Sequence, residues 1–154
     1  MPIVLNVMQF LKSEIGQTTA LYGLICEPLT LASHLRWINL FMDMYEDEAF
    51  VKKLLSFCTD LFLKISDYYI CAGMDIIVAV DPVVSQISPE IFNHIRHENR
   101  YSSLFVCGDA TRNIEVMCNT GPDCISLDEN IDIVNAKEIT DSYDIIISIN
   151  YRKQ

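Results

Sequence analysis

At 154 residues, 51% hydrophobic and 21% charged, the chain has the composition of one ordinary globular domain, which excludes a disordered tail or linker. Its formal charge of −10, from 21 acidic against 11 basic residues with no basic run, excludes a nucleic-acid partner. Apolar runs stop well short of membrane-spanning length, and Met1–Met8 lacks both a basic flank and a small-residue cleavage site, so a soluble, untargeted protein is expected. The six cysteines accompany abundant Ile, Leu and Val, a core that needs no covalent staples and fits a reducing cytoplasm.

Helical spacing of apolar residues predicts a helix from Val4 to about Ile15, interrupted at Gly16, and then a strand over Ala20–Cys26 that ends at Glu27-Pro28. Asp43 and Asp47 are candidate caps for a long amphipathic helix in which Phe50, Leu54, Leu55, Cys58, Leu61, Phe62 and Ile65 recur until Gly73. Asp75–Val80 is a β-branched run without alternation, as in a strand buried on both faces, and it ends at Asp81-Pro82. A short helix follows with Pro89 near its first position. The cycle repeats with strand Ser102–Val106, helix Asn113–Asn119, strand Cys124–Leu127, a helix from about Ile133 to Thr140 and strand Ile145–Ile149.

Strand and helix alternating through five strands predict the α/β class with a parallel sheet, either open or forming part of a (β/α) barrel. A five-strand sheet has two unpaired edges, so self-association or poor solubility is expected. Four successive strands finish on acids: Glu27, Asp81, Asp109 and the pair Asp128-Glu129. In a barrel those ends open on the catalytic face, which would bring the acids to one pocket. An Asp after a strand also caps the next helix, and for Asp109 and Asp128 both readings stay open. His94 and His97, three apart, read as surface histidines, since no His-Glu-x-x-His pattern accompanies them.

The run Leu21-Tyr22-Gly23-Leu24-Ile25-Cys26-Glu27-Pro28-Leu29-Thr30-Leu31-Ala32 resembles the Gly-x-Pro-Phe-Thr-Leu-Ala segment of the uroporphyrinogen decarboxylase superfamily, with Leu29 in place of the aromatic residue. Phe41–Asp47, Ala72–Asp75, Val80–Pro82, Ile87–Pro89, Val106–Gly108 and Leu127–Glu129 follow in family order and span nearly the whole chain. The resemblance implies one partial domain over residues 1–154, an incomplete (β/α)8 TIM barrel. Cys107-Gly108-Asp109-Ala110-Thr111 and Asp81-Pro82 are most similar to the cobamide-dependent methyltransferase-like branch.

That branch implies a truncated relative of enzymes that move a methyl group between a corrinoid and a thiol or similar acceptor, with zinc and a corrinoid as cofactors and a corrinoid protein or small molecule as partner. Glu27, Asp81, Asp109 and Glu129 are then the pocket candidates. Cys107 matches the first cysteine of the zinc set, but Phe105 stands at its histidine and the last cysteine would fall beyond Gln154. Cys118 and Cys124 lie at other spacings and are expected to face the core. Two alternatives accompany this reading. One is the cofactor-free decarboxylase of haem synthesis, although His34 and Pro82 occupy its tyrosine and serine positions. The other is a non-catalytic half-barrel that forms a homo-oligomer or joins a complementary fragment.

Overall fold

A computed structural model describes residues 2–81, 101–128 and 130–149. The helix expected around Pro89, with Pro82, His94 and His97, lies outside the described residues, as does Glu129. Helix α1 (Pro2–Ile15) leads to β1 (Tyr22–Cys26), then to α2 (Pro28–Arg36), α3 (Asn39–Glu46) and the long α4 (Glu48–Cys71). Strands β2 (Ile76–Asp81) and β3 (Tyr101–Val106) follow. Beyond them come a single 3-10 turn (Thr111–Asn113), α5 (Ile114–Asn119), β4 (Cys124–Leu127), α6 (Ile133–Asp141) and β5 (Ile146–Ile149). The five strands form one sheet in the order β1-β2-β3-β4-β5, every neighbour parallel.

Sequential order with every pairing parallel is how a (β/α) barrel grows, and here β1 and β5 remain as edges of the described sheet. Two helices were not foreseen from the sequence. The segment from Pro28 to Glu46 forms α2 and α3, set apart by Trp37, whose φ of 53° breaks the helical path. Asp47, rather than Asp43, caps α4, its Oδ1 accepting from the Phe50 N–H at 3.0 Å. Asp43 instead receives both Nε and a terminal nitrogen of Arg36, at 2.6 and 2.8 Å.

Side chains alternate across each strand, so the two sheet faces carry different residues. The helix-covered outer face holds Ile25, Ile77, Ala79, Leu104, Val106, Ile125 and Leu127, all buried, together with Phe62 of α4 and Ile114 and Met117 of α5. Gly23 sits on this face because Tyr69 of α4 crosses so close that a Cβ would lie 2.7 Å from its ring. A second cluster, Ala32, Leu40, Val51 and Cys58, ties α2 and α3 to α4. Helix α1 buries none of its own residues fully, and is held by Met8 against the main cluster and by Lys12, whose ammonium meets both Asp75 carboxylate oxygens at 2.6 and 2.8 Å. Asp75 also accepts from the Leu21 N–H at 3.0 Å, which fixes the starts of β1 and β2 together.

Candidate functional site

Glu27, Asp109 and Asp128 follow the C-terminal ends of β1, β3 and β4, and their carboxylates accept from backbone N–H groups. Glu27 is 2% exposed. Its N–H donates to the Val80 carbonyl, and its Oε2 accepts from the Leu29 N–H at 3.1 Å, which makes it the N-cap of α2 with Pro28 in the first turn. Asp81 is the last residue of β2, in register with Val106. At the β3 end, Gly108 turns with φ +79°, and its N–H donates to Asp128 at 2.9 Å, clamping the ends of β3 and β4 together. Asp109 points outward and accepts from the Thr111 N–H and hydroxyl at 3.0 and 2.5 Å, bonds that hold its carboxyl below the usual range.

Asp109 bonds to Thr111 at the start of the 3-10 turn, while the N-cap positions of that turn and of α5 are Ala110 and Asn113, which make no side-chain cap bond. Asp128 does something neither reading foresaw, since it bridges to Gly108 while Asp132 caps α6 by accepting from Val134 and Asn135. Cys107 follows β3 directly and is half-buried. Phe105 shares the inner sheet face, in register with Val80 on one side and Ser126 on the other. His34, at the decarboxylase tyrosine position, is exposed on α2.

The fit of zinc turns on the donors present. Cys107 has a phenyl ring two residues before it where a ligand imidazole would stand, and among the described residues no group of three His, Cys, Asp or Glu side chains could hold a metal ion. Cys118 is buried in the core, as expected. Cys124 corrects that expectation: it lies half-buried on the opposite, inner face, where burial pushes its thiol up while hydrogen bonds from Ser103 and Ser126 oppose the shift. The described residues do not supply a zinc site.

Sequence reasoning missed the inner face itself. Tyr22, Ile76, Tyr101, Ser103, Cys124, Ser126, Ile146 and Ser148 line a cavity of about 260 Å³ there, and the Ser103 and Ser126 hydroxyls are 3.3 Å apart. The signal was available, because Cys124-Ile125-Ser126-Leu127 alternates polar and apolar over a whole strand, the mark of two unlike faces.

The family model described as uroporphyrinogen decarboxylase (URO-D) matches residues 1–147. The chain belongs to this family. Methylcobamide:CoM methyltransferase MtbA of Methanosarcina acetivorans is 24% identical over 94% of the chain and 47% of its own length. Uroporphyrinogen decarboxylase of Nostoc punctiforme is 23% identical over 89% of the chain and 45% of its own. A solved methyltransferase from Methanosarcina mazei superposes with a TM-score of 0.81 at 21% identity, covering 96% of this chain and 48% of that one. The fold is thus part of the family barrel, five parallel strands in a sheet that is not closed among the described residues, and the chain spans about half the length of the curated relatives it matches. No helix among the described residues is long and apolar enough to cross a membrane.

Proposed function

We propose that this URO-D family chain belongs to a corrinoid-linked methyl-transfer barrel, in which it shapes the pocket mouth without supplying thiol activation by zinc. The observation that carries the reading is Cys107 standing after β3 with Phe105, not a histidine, two residues before it, on a chain otherwise similar to methylcobamide:CoM methyltransferases. Glu27, Asp81, Asp109 and Glu129 would frame the mouth, with methylcobamide as the substrate and a corrinoid protein as its carrier.

A thiol acceptor is nucleophilic as its thiolate, so a group at the mouth would have to take its proton or stabilise the thiolate. Asp109 is a poor base for that proton, because the Thr111 hydrogen bonds favour its ionised form and weaken its hold on a proton. Glu27 is committed to capping α2. With Phe105 where a ligand histidine would stand, these residues offer an acceptor thiol neither a zinc site nor a strong base.

The test is a cobalamin titration followed by visible absorbance, with zinc measured on the same purified chain by mass spectrometry. Saturable cobalamin binding with far less than one zinc per chain is expected. Equimolar zinc would overturn the zinc-free reading, and absence of cobalamin binding would overturn the corrinoid link. Conversion of uroporphyrinogen to a decarboxylated product would replace both with the haem-pathway reading.

A further inference from the structure

Branched aliphatic side chains normally fill the inside of a parallel barrel, and Ile76, Val78, Val80 and Ile146 follow that pattern on the inner face. Ser103, Ser126 and Ser148 depart from it, although serine has neither the bulk nor the branching that favours a strand. They stand on three adjoining strands, with Ser103 in register with Cys124 and Ser126 in register with Ser148. The Ser103 and Ser126 hydroxyls are 3.3 Å apart, and side-chain hydrogen bonds join both serines to the Cys124 thiol. A polar cluster that breaks the packing rule inside a sheet is where function is expected.

These residues border the inner-face cavity of about 260 Å³, whose remaining wall is aromatic and aliphatic. Tyr22 and Tyr101 lie two strands apart, about 10 Å, with Ile76 in register between them. Both tyrosines are more than half exposed, so packing does not consume them. At about 30 Å³ for each water-sized group, the cavity admits a ligand of about nine non-hydrogen atoms.

Its charge selects the ligand. No Lys, Arg or His stands on any of the five strands. Among the described residues along the cavity the one charged side chain is Asp123, whose Oδ2 accepts from the Ser102 N–H and hydroxyl at 2.8 and 2.7 Å. A carboxylate entering here would give up its water and meet no cation. An ammonium would have Asp123 alone, an acceptor already holding two donors. Serine hydroxyls both donate and accept, which matches a neutral amide or alcohol.

We propose that this cavity binds an uncharged ligand, or the uncharged arm of a larger one, with a flat apolar group over Ile76 between Tyr22 and Tyr101 and an amide or hydroxyl on Ser103 and Ser126. Ser126 is in register with Phe105, two residues before Cys107, which sets the polar end of the cavity toward the pocket mouth. The proposal does not rest on the methyl-transfer reading, which the cobalamin titration tests separately.

Benzamide, benzoate and benzylammonium share one ring and nearly one size but differ in charge. Each is titrated into the full chain at about pH 8 while mass spectrometry follows alkylation of Cys124, with exposed Cys71 as the internal control. Benzamide alone should slow Cys124 saturably, at concentrations on the order of millimolar for so small a ligand, and leave Cys71 unchanged. The double variant Ser103→Ala, Ser126→Ala, compared with its own ligand-free rate, should need about tenfold more benzamide, as for loss of two hydrogen bonds. Circular dichroism checks its fold, and if it unfolds Ser126→Ala alone carries the comparison with a shift of about fivefold. Ligand-observed NMR on the parent chain should repeat the ranking without using the thiol. Equal protection by benzoate or benzylammonium, protection by none of the three, or an unchanged benzamide response in the folded variant overturns the proposal. Slowing of Cys124 that grows with protein concentration alone gives this face to a second copy of the chain and overturns it as well.

Discussion

The two faces of the five-stranded sheet are built from the same strands and follow different rules. On the outer face Ile77, Leu104 and Ile125 are each no more than 1% exposed beneath the helices, and the packing is hydrocarbon against hydrocarbon. On the inner face Tyr22, Leu24 and Ile146 are more than half exposed, and Ser103, Cys124, Ser126 and Ser148 interrupt the branched residues that usually fill a barrel. The outer face carries the main hydrophobic cluster, whereas the inner face mixes buried Val78 and Ser103 with half-buried Cys124 and Ser126.

That contrast is testable at two residues on adjoining strands. Leu104→Ala, which empties a fully enclosed site among Ile77, Ile125 and the covering helices, should cost about 2–5 kcal/mol in urea unfolding. Ser126→Ala on the inner face, which removes one hydroxyl contact to Ser103, should cost about 1 kcal/mol or less. Equal losses would mean that the inner face is packed as tightly as the outer one.

A chemical probe sharpens the same contrast. Burial pushes the thiols of Cys58 and Cys118 up, and for Cys58 the neighbouring Glu27 carboxylate and Cys26 add to the effect. Both should resist a thiol reagent at about pH 8 until the chain unfolds, while exposed Cys71 reacts at once. Cys124 should fall between them, reachable from the inner face but with a thiol also raised by burial. Ser126→Ala should slow it further, because the hydroxyl hydrogen bond that favours its thiolate is lost. Mass spectrometry of the labelled chain gives this order directly, and early modification of Cys58 would contradict the described packing of α2 on α4.

The sequence made the outer face legible because its signals are periodic and local. The 3.6-residue spacing through Phe62 and Ile65 marked α4, and the β-branched run after Asp75 marked β2. The α2 and α3 helices leave a weaker signal, because Pro28 suits the end of a strand as well as the first turn of a helix, and because a tryptophan rather than a glycine takes the positive φ between them. Glu27 and Asp109 bond two residues ahead, to Leu29 and Thr111, whereas Asp128 bonds the Gly108 N–H, and a pairing across 20 residues leaves no local pattern. The family motifs identified the barrel, but they could not tell a cap from a pocket wall.

The smallest expected effect concerns the Arg36–Asp43 pair between α2 and α3, and it distinguishes these two helices from the sheet. Hydrogen bonds from Arg36 hold the Asp43 carboxyl below its usual range, with the opposite charge adding to them. A carboxyl whose pKa is lowered on folding contributes stability above its unfolded value, about 3.9, and loses that contribution as pH falls through the folded value. Melting temperature should therefore drop as pH falls below about 4, with other carboxylates sharing in the drop. The part due to Asp43 is isolated by Arg36→Gln, which should lower the melting temperature slightly at pH 7 and converge with the parent chain at the acid end of the range. If the gap between the two proteins stayed constant with pH, Arg36 would be stabilising these helices through its packing on Phe50 rather than through Asp43. The join between α2 and α3 would then rest on the hydrophobic cluster around Leu40.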